Sequence, residues 1–222
     1  MIKKLFHGSK DIIEKPLFGY GKKHNDYGLG FYCTEEFDLA CEWAVDINRD
    51  GYVNTYEFDD SDLKILYLDD FSVLHWLTIL LENRTFNISS PLAREAKEYL
   101  LKNYSLAYRD YDLIIGYRAD DSYFAFAQDF LSGTISYQQL ARAMKFGNLG
   151  KQVVLLSSEA FSRIKFIDAT LAKSNEYFLK KKNQDSKARI DYFDSRFNKR
   201  NKGDLYIAQI IDEEIKPNDP RL

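Results

Sequence analysis

The chain has 222 residues, a formal net charge of -3, 45% hydrophobic residues and 15% aromatic residues. That length suits one ordinary domain with an extension, or two small ones, and the apolar content excludes global disorder. The charge excludes a polycation built for nucleic acid, and two cysteines, Cys33 and Cys41, make neither a disulfide framework nor a zinc clip.

Lys3 to His7 reads as a short first strand, and Gly8 lets the chain turn sharply after it. Asp11 to Asp26 is loop-like, punctuated by Pro16, Gly19 and Gly21, and suits a mobile cover over a site. Phe31 to Cys33 is a second short strand. Thr34 then reads as a helix cap, with Glu35 and Glu36 in the first turn, where the dipole favours acid. Ala40, Trp43, Ala44 and Ile47 carry the spacing of one buried helix face.

Strands follow at Gly51–Phe58 and Leu63–Leu68, joined by the acidic turn Asp59–Asp62. Ser72 starts a helix through Leu81. This is the longest apolar stretch, yet it contains His75 and is too short to span a bilayer. Ser90-Pro91 starts another helix, the serine as cap and the proline in the first turn. Tyr111 to Tyr117 is an apolar strand. Asp120 and Asp121 cap the next helix, which runs through Phe130, and a further helix spans Ser136–Phe146. Gly147 and Gly150 break the chain before a strand at Gln152–Leu156. A short helix or turn at Ser158–Arg163 leads to a last strand near Lys165–Ile167.

From Leu171 the character changes. Lys180, Lys181, Lys182, Lys187, Arg189, Arg196, Lys199, Arg200 and Lys202 make a basic segment, and an amphipathic piece closes it at Asp204–Ile215. The expected division is a body over 1–170 and a basic helical extension over 171–222, packed on it. Strands scattered irregularly among helices argue for α+β. The opening Met1-Ile2-Lys3-Lys4-Leu5 turns polar at once and holds no signal-peptide core. A cytoplasmic protein without a membrane segment is expected. His7, His24 and His75 lack metal-ligand spacing, so no metal site is expected.

Three segments carry candidate chemistry: Leu5-Phe6-His7-Gly8-Ser9, Gly28-Leu29-Gly30-Phe31-Tyr32, and Gln152-Val153-Val154-Leu155-Leu156. Cleaving NAD at its nicotinamide bond needs a grip on the carboxamide, a stacked ring and fixed ribose hydroxyls around an oxocarbenium-like centre. A backbone beside glycine reads a carboxamide because no side chain blocks it. A strand-end histidine donates to a ribose hydroxyl, and a tyrosine face stacks on the pyridinium.

This pattern resembles the ADP-ribosyltransferase superfamily, in the His-Tyr-Glu branch of diphtheria toxin and the poly-ADP-ribose polymerases. His7-Gly8-Ser9 is similar to the first motif, and Gly28-Leu29-Gly30-Phe31-Tyr32 to the second. Trp43 stands near the place of a second stacking aromatic. The third motif has Gln152 where the polymerases have glutamate. More closely, the chain resembles the bacterial family catalogued as domain of unknown function 3990. The runs Tyr111–Gly116, Ala119–Asp121, Gly150–Leu155 and Gly203–Ile207 carry that likeness. The resemblance implies a split-sheet fold with NAD as co-substrate in its cleft. It implies a toxin role, with a macromolecular acceptor and a small antitoxin as partners.

The site it implies is His7, Tyr32 and Gln152 for catalysis, with His7, Gly8, Ser9, Gly30, Tyr32 and Trp43 around NAD. An amide at Gln152 cannot act as a general base, so transfer of a single ADP-ribose is expected rather than chain growth. The nearest downstream acid, Glu159, is a poor substitute on its helix. An NAD glycohydrolase, an NAD- or ADP-ribose-binding module and a nucleic-acid binder using the basic tail stay open as rivals.

Overall fold

The computed structural model describes residues 1–119, 121–145, 150–198 and 201–222. The strands are β1 (Ile2–Ser9), β2 (Phe31–Cys33), β3 (Gly51–Asp59), β4 (Ile65–Tyr67), β5 (Leu113–Tyr117), β6 (Lys151–Leu155) and β7 (Ile164–Ala172). The helices are α1 (Phe37–Ala44), α2 (Val73–Asn83), α3 (Pro91–Asn103), α4 (Asp121–Leu131), α5 (Tyr137–Ala143), α6 (Ser158–Ser162), α7 (Ser174–Asn198) and α8 (Ile207–Asp212). The class is α+β, as the sequence indicates.

The strands form a three-stranded sheet, β1-β3-β7, and a four-stranded sheet, β2-β6-β5-β4. Only β4 and β5 run parallel within a pair. A backbone bridge links the sheets, where Phe6 and Thr34 exchange both hydrogen bonds at 2.8 and 2.9 Å. Alternation gives the second sheet two faces. Phe31, Cys33, Val153 and Leu155 join Leu5, Tyr56 and Phe58 in a core between the sheets. Tyr32 and Val154 are paired and face the other way, as does Gln152 two residues on.

That second face is backed by the largest core, built around α2, α3, α4 and α5. Ala188 and Tyr192 of α7, and Leu205, Ile207, Ile210 and Ile215 around α8, are buried in the same core. The extension thus completes the core rather than resting on its surface. Serine side chains cap three of the described helices. Ser90 accepts from the Ala93 N–H at 3.1 Å, and Ser157 caps α6 by accepting from Ala160 at 3.1 Å. Ser136 and Gln139 close a capping box at α5.

Several local expectations are corrected. Thr34 does not cap α1; its backbone is taken by the bridge to Phe6, and the helix begins at Phe37. That helix stops at Ala44, where Asp46 and Arg49 close a tight bridge, and Ile47 is left 64% exposed. The last strand runs nine residues, well beyond Ile167, because it pairs along β3. The capping role read for Asp120, the Gly147 break, the Phe146 helix end and the Lys199–Arg200 part of the basic run lie outside the described residues, as do the side chains of Asp121 and Arg196.

Among the described residues no helix is long and apolar enough to cross a membrane. Among them no group of three or more His, Cys, Asp or Glu is placed to hold a metal ion.

Candidate functional site

The site begins where the two sheets part. Continued by two residues, the Phe6–Thr34 register would set Gly8 opposite Tyr32. The strands have diverged there, and the imidazole of His7 fills the gap. His7 Nδ1 lies 2.7 Å from the Tyr32 carbonyl oxygen. A carbonyl only accepts, so Nδ1 carries the proton and the neutral ring presents Nε2 as an acceptor. The ring stacks on Phe31 at 4.5 Å between centroids. Burial holds His7 below its ordinary 6.5, partly opposed by the Tyr32 bond. The expectation of a donating histidine is therefore corrected to an accepting one at neutral pH.

The same divergence frees Gly8. Ladder alternation turns its N–H and C=O toward the edge that Phe6 uses for Thr34. Its other side is filled: a Cβ there would meet the Ala40 carbonyl oxygen at 2.0 Å and the Ala44 nitrogen at 2.7 Å. Glycine lets α1 lie on the strand.

Between the sheets opens a cleft of about 740 Å³. His7, Gly30, Tyr32, Trp43 and Gln152 line it together. Gly8 and Ser9 are not among its walls. Ser9 is turned away: its hydroxyl donates to the Asp11 carbonyl at 2.5 Å and accepts from Asn54 Nδ2 at 3.0 Å. The NAD-site role expected of it is replaced by one at the end of β1, where it ties the strand to the loop that follows. Ile13, Pro16, Leu17 and Tyr20 bring the 10–26 loop over one side of the cleft. The loop is tied at its start, where Ile13 donates to Asn54 Oδ1 at 2.7 Å and accepts from the Tyr56 hydroxyl at 2.5 Å.

The hydroxyl of Tyr32 is fully engaged. It donates to the Gly28 carbonyl at 2.7 Å and accepts from the Tyr27 N–H at 3.1 Å. Burial pushes this phenol well above its ordinary value, so it stays neutral. Tyr32 offers the cleft a ring rather than a titrating group. Trp43 lies at the far wall with the Arg118 guanidinium 5.8 Å from its ring. Its Nε1 is buried without a partner among the described residues.

Gln152 is 5% exposed. Its Nε2 donates to Asp26 Oδ2 at 3.0 Å, and its Oε1 has no partner among the described residues. Asp26, itself buried, also accepts from Arg84 at 2.8 Å and from the Ala119 N–H at 2.9 Å. Burial pushes Asp26 up, against the lowering effect of these donors. Sequence reasoning passed over Asp26 as loop. The one local signal is the turn after it: Gly28 at φ +75 sits against Asn83, and Tyr27 is buried with its hydroxyl on the Tyr117 carbonyl. Arg84, Arg118, Lys22 and Lys181 also line the cleft, and no motif marked them. Glu159 is spent elsewhere, paired with Arg163 at 2.7 Å on α6.

The arrangement is that of an α+β protein with a deep cleft at the split between two sheets, lined by rings, accepting groups and cations. The chain belongs to the family described as protein of unknown function (DUF3990), whose model matches residues 3–166. The match ends within β7, so α7, α8 and the Gly203–Ile207 run lie beyond it. No curated protein and no solved structure matches the chain.

Proposed function

We propose that the cleft binds NAD and that the protein is an ADP-ribosyltransferase, moving ADP-ribose to a macromolecular acceptor with release of nicotinamide. The observation that carries this reading is the meeting of His7, Tyr32 and Gln152, from three distant segments, on one cleft at the split between the sheets. Their chemistry fits the parts of the dinucleotide. His7 Nε2 and Gln152 Oε1 are both acceptors, which suits the two hydroxyl donors of a ribose. The Tyr32 ring, held by its hydroxyl, is a stacking face for a pyridinium. Arg84, Arg118, Lys22 and Lys181 supply positive potential for a diphosphate.

In this reading Tyr32 stacks on the nicotinamide, His7 and Gln152 fix the ribose, and Trp43 closes the wall. The likeness of the three motifs to toxin transferases is the ground for reading a bacterial toxin working in the cytoplasm, checked by a small antitoxin. One observation favours a second reading. Gln152 stands where the transferases carry a carboxylate, and an amide takes no proton. An NAD-binding module without turnover, or an NAD glycohydrolase using water, shares the same cleft.

Incubating the purified chain with labelled NAD and bacterial lysate separates these. Label on a macromolecule with free nicotinamide supports transfer. Free ADP-ribose alone supports the glycohydrolase. Tight binding with intact NAD supports the module. The absence of both binding and release overturns the proposal.

A further inference from the structure

A glutamine side chain has one accepting end and one donating end of nearly equal size. Only the accepting end can stand in for a carboxylate toward a ligand hydroxyl. What surrounds Gln152 decides which end faces the cleft. The Asp26 carboxylate is met by donors alone: Arg84 on Oδ1 at 2.8 Å, with the Ala119 N–H at 2.9 Å and Gln152 Nε2 at 3.0 Å on Oδ2. Arg84 and the Ala119 N–H can only donate, so the set favours the ionised acid. An ionised carboxylate accepts only. Turning the amide over would press Oε1 against Oδ2, acceptor on acceptor, between two buried side chains. Gln152 is 95% enclosed, and Oε1 is buried without a partner among the described residues while the side chain lines the cleft. A buried acceptor left open in this way calls for a ligand donor.

We infer that Asp26 is the positioning residue of this site: it fixes the Gln152 amide so that Oε1 is the acceptor offered to a ligand hydroxyl, of the kind carried by a ribosyl nucleotide. The naming of that ligand rests on the NAD reading; the orientation of the amide does not. Asp26 itself reaches the ligand only through Gln152. The arrangement has an unexpected consequence. Gln152→Glu, the change that would restore the transferase pattern, places a second carboxylate against Asp26 in a buried site, where the two repel. In this chain the apparent repair is a lesion.

The test uses the whole chain, labelled with nitrogen-15, and NAD as the probe. The side-chain NH2 of Gln152 is identified by its loss in Gln152→Glu. In the unaltered chain its protons exchange with water at least about tenfold more slowly than those of exposed glutamines, and Asp26→Asn shifts the pair and speeds its exchange. Asp26→Asn weakens NAD binding about tenfold or more, Gln152→Glu weakens it at least as much, and the double variant binds better than Gln152→Glu alone, as coupled neighbours do. The inference is overturned by fast exchange in the unaltered chain, a measurement that needs no variant to fold. It is equally overturned by an amide pair indifferent to Asp26→Asn, or by Gln152→Glu binding NAD as tightly as the unaltered chain. A slowly exchanging, Asp26-dependent amide in a chain that binds no NAD sinks the NAD reading and leaves the positioning role standing.

Discussion

The imidazole of His7 holds the Tyr32 carbonyl at 2.7 Å at the point where β1 and β2 separate. One side chain thus closes a ladder that the backbone has left and fixes the mouth of the cleft. His7→Ala removes this bond and the stack on Phe31. It costs about 1–3 kcal/mol of stability, the scale for orphaning a buried polar group. NAD binding falls about tenfold or more. Urea unfolding and calorimetric titration of the refolded variant check both parts.

Tyr32→Phe separates the ring from its tether. The phenylalanine keeps a stacking face but loses the bonds to Gly28 and Tyr27. Stability falls by roughly 1 kcal/mol, and amide exchange at Tyr27, whose N–H loses its acceptor, accelerates. Tyr32→Ala loses the face as well, and binding drops much further than in Tyr32→Phe. Equal losses in the two variants would remove the stacking role.

Gly8→Ala probes the seat of α1. A new Cβ lies 2.0 Å from the Ala40 carbonyl oxygen, and neither that atom nor the Ala44 nitrogen belongs to a yielding side chain. The helix must shift and carry Trp43 with it. The expected loss is about 3 kcal/mol, at the upper end for overpacking. An unchanged urea midpoint would contradict the packing described.

Acid sensitivity follows from two histidines. His7 and His75 each have a ring nitrogen 2.7 Å from a carbonyl oxygen, and burial holds both below their ordinary 6.5. The unfolded chain binds protons at these sites first as pH falls, so the stability they contribute is complete above 6.5 and is lost as pH drops through their folded values. Asp26 acts in the opposite sense: its raised value means that burying the carboxylate costs stability at neutral pH, and the cost is relieved as pH falls through that value. Urea midpoints between about pH 7.5 and 5.5, above the range of most carboxylates, therefore fall. His75→Gln, far from the cleft, flattens the slope. A midpoint indifferent to pH across that window would contradict the neutral buried rings.

The strands of the site were legible because each carries a local pattern. Phe31–Cys33 and Gln152–Leu155 alternate or run apolar between turn residues, whereas the turn expected at Gly8 is absent, because β1 pairs with β3 through Ser9. Ser90 and Ser136 announced their helices for equally local reasons. Asp26 was not legible. Its burial is imposed by Arg84, Ala119 and Gln152, the last of them 126 residues away. The periodicity that carried α1 on to Ile47 failed because a tight Asp46–Arg49 bridge ends the helix first. The basic character of α7 was plain, but not that one of its lysines, Lys181, lines the cleft while Tyr192 stacks on Phe126 at 3.9 Å in the core.

The central claim is that this cleft takes NAD. Titrating NAD into the nitrogen-15-labelled chain tests it most directly. The account predicts saturable, one-site perturbations centred on His7, Gly8, Tyr32 and Gln152, lost in His7→Ala and Tyr32→Ala. Millimolar NAD that leaves these resonances unmoved, or moves only residues remote from the split between the sheets, would contradict it.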